Sequence, residues 1–176
     1  MTSPGRAGEK KDKLLFTPGP LTTSSTVKEA MLSDVGSRDG VFIRIVEEIR
    51  ERILQIAGVS KTRGFEAIPM QGSGSFGIEA TISAIRPNDR LLVVVNGAYG
   101  RRIHQMAQRW QLDAHALVSR EDEQPDLGQI ERLLASSRGF THIAAVHCET
   151  SSGILNPIDQ IDQIDQIGQI VQNRLY

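Results

Sequence analysis

The stretch Ala67–Ala80, AIPMQGSGSFGIEA, reads as a short strand running into a glycine-serine turn that opens a helix. A turn of this kind presents unpaired backbone N–H groups, and the positive end of the helix dipole, to an anion. Gly72, Gly74 and Gly77 also satisfy G-x-G-x-x-G, which raises a dinucleotide site. The following strand argues against it. Leu91–Val95, LLVVV, ends in Asn96-Gly97, where a ribose-binding Asp or Glu is needed. The nucleophile elbow G-x-S-x-G does not occur in this turn. What fits is a small phosphorylated group held by the Ser73 and Ser75 hydroxyls and the N–H groups of Gly74 and Ser75.

On the C-terminal side of the turn, strands and helices alternate. A helix is expected from about Gly77 to Ile85, stopped by Pro87, and LLVVV has the continuous apolar character of a strand buried on both faces. Further helices are expected at Arg101–Gln111 and Leu127–Ala135, and strands at Ala114–Val118 and His142–His147. This order specifies a parallel α/β sheet with helices on both faces. On the N-terminal side, the prolines around Gly19 force an extended path over Leu14–Ser25. A short helix then starts at Ser24 or Ser25, with Val27, Ala30 and Met31 inward. Phe42, Ile45, Val46, Ile49, Ile53 and Ile56 recur at three- and four-residue steps, so Asp39–Ala57 is a long amphipathic helix capped by Gly58. Ile158–Ile167 reads IDQIDQIDQI, and isoleucines at every third position drift by roughly 60° per step around a helix, so the apolar stripe is expected to spiral.

With 176 residues, 39% hydrophobic and 23% charged, the chain can bury one good core. The formal net charge is -1, and basic and acidic residues are interspersed, so no nucleic-acid or anionic-lipid footprint exists. The single cysteine, Cys148, excludes an internal disulfide and is expected in the core beside His147. The four histidines lack metal-site spacing, and a cytoplasmic setting follows as the expectation. Residues 1–13 have no apolar segment for a signal peptide and read as a disordered leader, and no stretch approaches a membrane span.

Several motifs together carry a resemblance: TPGP at Thr17–Pro20, GSRDGVF at Gly36–Phe42, MQGSGSFGIEA at Met70–Ala80, NGAYGRR at Asn96–Arg102 and HCETSSGILNPI at His147–Ile158. Their order resembles that of the class V, fold-type I aminotransferases, and in detail those that take 2-aminoethylphosphonate and pyruvate. The resemblance implies pyridoxal 5'-phosphate as cofactor, a homodimer, and an incomplete three-layer αβα large domain at residues 58–176 behind an arm and long helix at 14–57. It also implies roles for named residues. Ser73, Gly74 and Ser75 would bind the cofactor phosphate, Tyr99 would stack on the pyridine ring, and Thr150 would hydrogen-bond its phenolic oxygen. Thr17 and Gly19 would line the substrate pocket.

The chemistry of amino transfer needs a lysine that forms a Schiff base with the cofactor and then moves a proton. The five lysines are Lys10, Lys11, Lys13, Lys28 and Lys61, and none follows position 61. In the resembled family the lysine, and the aspartate that pairs with the pyridine nitrogen, come after the HCETSSG motif. The expectation is therefore a truncated domain, inactive alone. The alternatives are a fragment of the alanine–glyoxylate or serine–pyruvate type, and a non-catalytic interaction protein.

Overall fold

The computed structural model describes residues 13–17, 19–136 and 139–164. The leader at 1–13, Lys13 excepted, and the later part of the triplet repeat with Asp165 lie outside the described residues. The chain divides into two compact units, Met1–Pro69 and Met70–Tyr176.

In the first unit, the proline-rich loop closes on Thr22, whose hydroxyl accepts the Leu15 N–H at 2.7 Å and donates to the Lys13 carbonyl at 3.1 Å. Helix α1 (Ser25–Ala30) is capped as its sequence suggests, the Ser24 hydroxyl accepting the Val27 N–H at 3.4 Å. Helix α2 (Gly40–Ile56) follows a turn in which the Asp39 carboxylate takes the Gly36 N–H at 2.7 Å instead of capping the helix. Among the described residues the inward faces expected of these helices are covered only in part, Phe42 and Val46 being half-buried. Val27 and Met31 stand 47% and 78% exposed, and Ile45, Ile49, Ile53 and Ile56 between 44% and 75%. Leu54 is the one residue of α2 that is fully buried. The strand expected before the glycine turn is also absent. Residues 65–70 form no strand, and Ile68 is 78% exposed. No neighbouring strand among the described residues lies beside this segment, so its backbone groups are met locally: Arg50 Nε donates to the Ala67 carbonyl at 3.0 Å while its guanidinium pairs with Glu66 at 2.8 Å.

The second unit carries the expected α/β alternation. Helix α3 (Gly74–Ser83) leads to β1 (Arg90–Val95), α4 (Ala98–Arg109), β2 (Asp113–Val118), α5 (Leu127–Leu134) and β3 (His142–Ala144). The three strands form a parallel sheet in the order β2-β1-β3, with Leu91 opposite Ala114 on one side and His142 on the other. β1 is central and buried on both faces. Its alternation divides the core: Leu91, Val93 and Val95 pack with Ile82 of α3 and Ile103, Met106 and Ala107 of α4, while Leu92 and Val94 pack with Leu117, Ile130, Leu134 and Ile143. Burying each such aliphatic side chain stabilises by roughly 1.5–3 kcal/mol. The result is a three-layer αβα arrangement with α3 and α4 on one face and α5 on the other.

After β3 the strand ends sooner than expected. A short antiparallel hairpin, β4 (Cys148–Glu149) and β5 (Ile154–Leu155), takes over the chain, and α6 (Ile158–Asp162) begins behind Pro157. Ile158, Ile161 and Ile164 all pack against the α5 face, with Ile161 3% exposed. Within the described part of the triplet repeat the helix ends at Asp162, and its isoleucines still share the α5 face.

Candidate functional site

The C-terminal edge of the sheet is where helices begin. α3 ends at Ser83 and returns within a few residues to the start of β1, so its first turn lies at the opposite edge, the one from which β1 passes into α4. α3 and α4 pack side by side, and both present their N-termini there. In open α/β sheets this edge is where ligands bind.

The start of α3 is chemically open. Gly72 has φ of 149°, in the region that favours glycine, and a Cβ there would stand 2.8 Å from Phe76 Cδ1. Ser73 is the N-cap residue, and its carbonyl accepts the N–H groups of Phe76 at 2.9 Å and Gly77 at 3.3 Å. Its hydroxyl makes no capping bond. Among the described residues the N–H groups of Gly74 and Ser75 and the Ser73 and Ser75 hydroxyls have no protein partner, and the first turn holds no acidic side chain. Ser73 and Gly74 are exposed and Ser75 is half-buried. Donors converging on a helix N-terminus with no internal acceptor suit a phosphoryl group.

The start of α4 is organised differently. Its first N–H groups are taken by the β4–β5 hairpin: Glu149 Oε2 accepts from Tyr99 and Gly100 at 3.1 Å each, and Ser151 Oγ accepts from Ala98 at 3.1 Å. Ser151 in turn donates to Glu149 Oε1 at 2.6 Å. The Glu149 side chain is 0% exposed, and a carboxylate so removed from water is tolerable only with several donors aimed at it. Beside it, Asn96 and Asn156 pair reciprocally, Nδ2 to Oδ1, at 2.8 and 3.1 Å. Their remaining amide protons reach the carbonyls of Glu123 and Val146 at 3.0 and 2.8 Å. The end of β1, the loop after β2 and the hairpin are thereby tied together.

Tyr99 lies in the first turn of α4, 43% exposed, so its ring is available at this edge. Helix α4 starts at Ala98, earlier than Arg101, because Glu149 and Ser151 satisfy its terminal donors. Thr150 opens the hairpin turn next to Glu149 and is exposed. Ser73, Gly74, Ser75, Tyr99 and Thr150 thus all belong to the second unit, on segments that start or end at one edge of its sheet. Thr17 and Gly19 belong to the first unit, where the Thr17 hydroxyl donates to the Pro20 carbonyl and Gly19 is exposed. Cys148 and His147 are both exposed, which corrects the expectation that the cysteine sits in the core: the buried position in β4 is Glu149, and strand alternation turns Cys148 outward. Glu149, Ser151 and Asn156 escape a reading by composition. The available signal was a charged residue flanked by hydroxyls in a segment that otherwise follows a buried strand.

A parallel three-layer αβα unit whose C-terminal edge carries a helix N-terminus open to an anion defines an α/β unit suited to a phosphorylated ligand. The comparisons narrow this. No family model matches the chain. It is 48% identical over 152 residues to the 2-aminoethylphosphonate–pyruvate transaminase of Vibrio vulnificus (strain YJ016), an alignment covering 85% of this chain and 41% of that protein. Among solved structures it is similar to the ureidoglycine–glyoxylate aminotransferase of Bacillus subtilis (TM-score 0.75, 29% identity, 84% of this chain and 38% of that one). It is also similar to the alanine–glyoxylate aminotransferase of Nostoc sp. (TM-score 0.69, 27% identity, 84% and 40%). Over most of its own length the chain is therefore similar in sequence to 2-aminoethylphosphonate–pyruvate transaminases and in fold to aminotransferases. It spans about two fifths of the length of the curated relatives it matches.

Proposed function

We propose that this chain carries the cofactor-binding part of an aminotransferase that uses pyridoxal 5'-phosphate to move an amino group from 2-aminoethylphosphonate to pyruvate, giving phosphonoacetaldehyde and alanine. The observation that carries the cofactor reading is the unpartnered donor set at the start of α3, facing the edge where Tyr99 is exposed. The substrate reading is supported by the 48% identity to an enzyme named for that reaction. A glyoxylate acceptor or alanine donor is the second reading, favoured by the likeness to the Nostoc protein but at 27% identity. A cytoplasmic homodimer, with residues 14–57 as its arm and 58–176 as its cofactor-binding domain, belongs to the same proposal.

The residues present fit the cofactor. Ser73 and Ser75 hydroxyls, with the N–H groups of Gly74 and Ser75, would hold the phosphate dianion, helped by the roughly half positive charge of the helix terminus. The Tyr99 ring would lie against the flat heterocycle, and the Thr150 hydroxyl would donate to its phenolic oxygen. Thr17 and Gly19 would contact substrate. Once bound, the cofactor supplies the electron sink that lets the substrate carbon next to nitrogen give up a proton. Moving that proton requires a base, and the lysines of these 176 residues end at Lys61. The chain alone is accordingly expected to bind without turning over.

The test uses pyridoxamine 5'-phosphate, which has no aldehyde to react with surface lysines. Calorimetric titration of the 176-residue chain should show saturable binding that inorganic phosphate competes away. Absence of binding sinks the cofactor reading. Transaminase turnover by the chain alone, with either donor, overturns the statement that its proton-transfer base is missing.

A further inference from the structure

We infer that Glu149 is a positioning residue: a built-in anion that fixes the first turn of α4 and so sets Tyr99 and Thr150 as one unit against the cofactor ring. This rests on the reading that the ring lies against Tyr99. The roles given to Tyr99 and Thr150 make no use of the side chain between them in space, yet that side chain is 0% exposed and spends its oxygens on α4.

Three donors from two segments close on the carboxylate. Oε2 receives the Tyr99 and Gly100 N–H groups, each at 3.1 Å, and Oε1 receives the Ser151 hydroxyl at 2.6 Å. Ser151 bridges back to the Ala98 N–H at 3.1 Å, so the first three N–H groups of α4 are all bound by hairpin side chains. The glycine before the helix makes this possible. Gly97 is extended, φ 178° and ψ -172°, a conformation any residue adopts, so backbone freedom is not what glycine supplies here. Space is. A Cβ at position 97 would lie 2.1 Å from Glu149 Cγ and 2.3 Å from its Cδ. The acid occupies the room of the missing side chain.

Two consequences follow for a bound ligand. Because α4 carries its own anion, a phosphate at this edge is directed to α3, whose terminus has none. And because Tyr99 donates its own N–H to Glu149 while Thr150 follows Glu149 in the chain, displacing this carboxylate moves the ring platform and the neighbouring hydroxyl together, leaving the α3 cradle in place.

The experiment is a cycle of Gly97→Ala, Glu149→Ala and the double variant, with Glu149→Gln as the conservative replacement that keeps one acceptor oxygen. Each chain is titrated with pyridoxamine 5'-phosphate and, separately, with inorganic phosphate, and the Tyr99 and Gly100 amides are followed by hydrogen exchange. Gly97→Ala and Glu149→Ala should each weaken pyridoxamine 5'-phosphate by about tenfold, the loss expected when charge-assisted hydrogen bonds are removed. Inorganic phosphate binding should be unchanged, and both amides should lose protection. Glu149→Gln should retain part of both, which keeps the measurement available if Glu149→Ala fails to fold. In the double variant the added methyl meets no carboxylate, so its loss should equal that of Glu149→Ala alone. Additive losses, or equal weakening of both ligands, overturn the role. If the unsubstituted chain binds neither ligand, the cofactor reading has failed and this role toward Tyr99 with it. If it binds both and the variants leave pyridoxamine 5'-phosphate affinity intact, only the role of Glu149 is lost.

Discussion

Ser73 and Ser75 differ from most serines near helix starts in having no structural bond to lose. Their hydroxyls are without protein partners among the described residues, and the Ser73 side chain leaves α3 uncapped. Replacing both by alanine should therefore leave the unfolding midpoint within about 0.5 kcal/mol of the parent while phosphate affinity falls by at least about tenfold per hydroxyl. Calorimetry and a urea melt on the same preparation read the two effects separately. Asn156 predicts the reverse. Its amide satisfies Asn96 and the Val146 carbonyl in a site 2% exposed, so Asn156→Ala strands buried polar groups and should cost about 2–3 kcal/mol in the urea melt. A neutral Asn156→Ala would show that water replaces the amide there. These residues also mark the limit of what the chain discloses by itself. The helix start at Gly74 is legible because a glycine turn before a helix has a local meaning. The partnership of Asn96 with Asn156 spans sixty positions and has no local signature.

Two helices starting at one edge of a sheet would ordinarily compete for an anion. Here the competition is resolved within the fold, since α4 is closed by Glu149 and α3 is open. Putting a carboxylate into the first turn of α3 should close it in the same way. Ser75→Asp is expected to raise stability slightly, by about 0.3–1 kcal/mol through the helix dipole, and to reduce inorganic phosphate binding below detection. Unchanged phosphate affinity in that variant would mean that the ion is held elsewhere. Elements were read well where periodicity spoke for itself: α2, α5, β1 and β2 fall within a few residues of their expected bounds. They were misread where a distant partner decides. The apolar run before Gln71 is no strand because nothing among the described residues pairs with it, and His142–His147 shortens to His142–Ala144 because the chain leaves β1 for the hairpin.

For the molecule as a whole, the balance of covered and uncovered apolar surface differs between the two units. In the second, β1 and its flanking helices enclose a core in which Leu91–Val95, Ala107 and Ile130 are at most 2% exposed. In the first, α2 presents Ile45, Ile49, Ile53 and Ile56, which follow one another at four- and three-residue steps and so share a face. Across its sheet, β2 and β3 each pair with β1 alone, so both outer edges carry unpaired backbone groups among the described residues. Unpartnered apolar stripes and open edges favour association between copies. The purified chain is therefore expected to bind an apolar dye under native conditions and to sediment as concentration-dependent oligomers. Its melt should be broad. Because Ile49 and Ile53 are 45% and 46% exposed, the pair Ile49→Lys and Ile53→Glu removes the stripe at little cost to folding, within about 0.5 kcal/mol, and adds an ion pair of the helical i,i+4 kind. That variant should lose most of the dye signal and sediment closer to a monomer. If it associates as strongly as the parent, the sheet edges drive association, and lysines placed on β2 become the discriminating change. A sharp cooperative transition from a monomeric parent chain would refute both routes at once, because it would mean that these surfaces are already covered in solution.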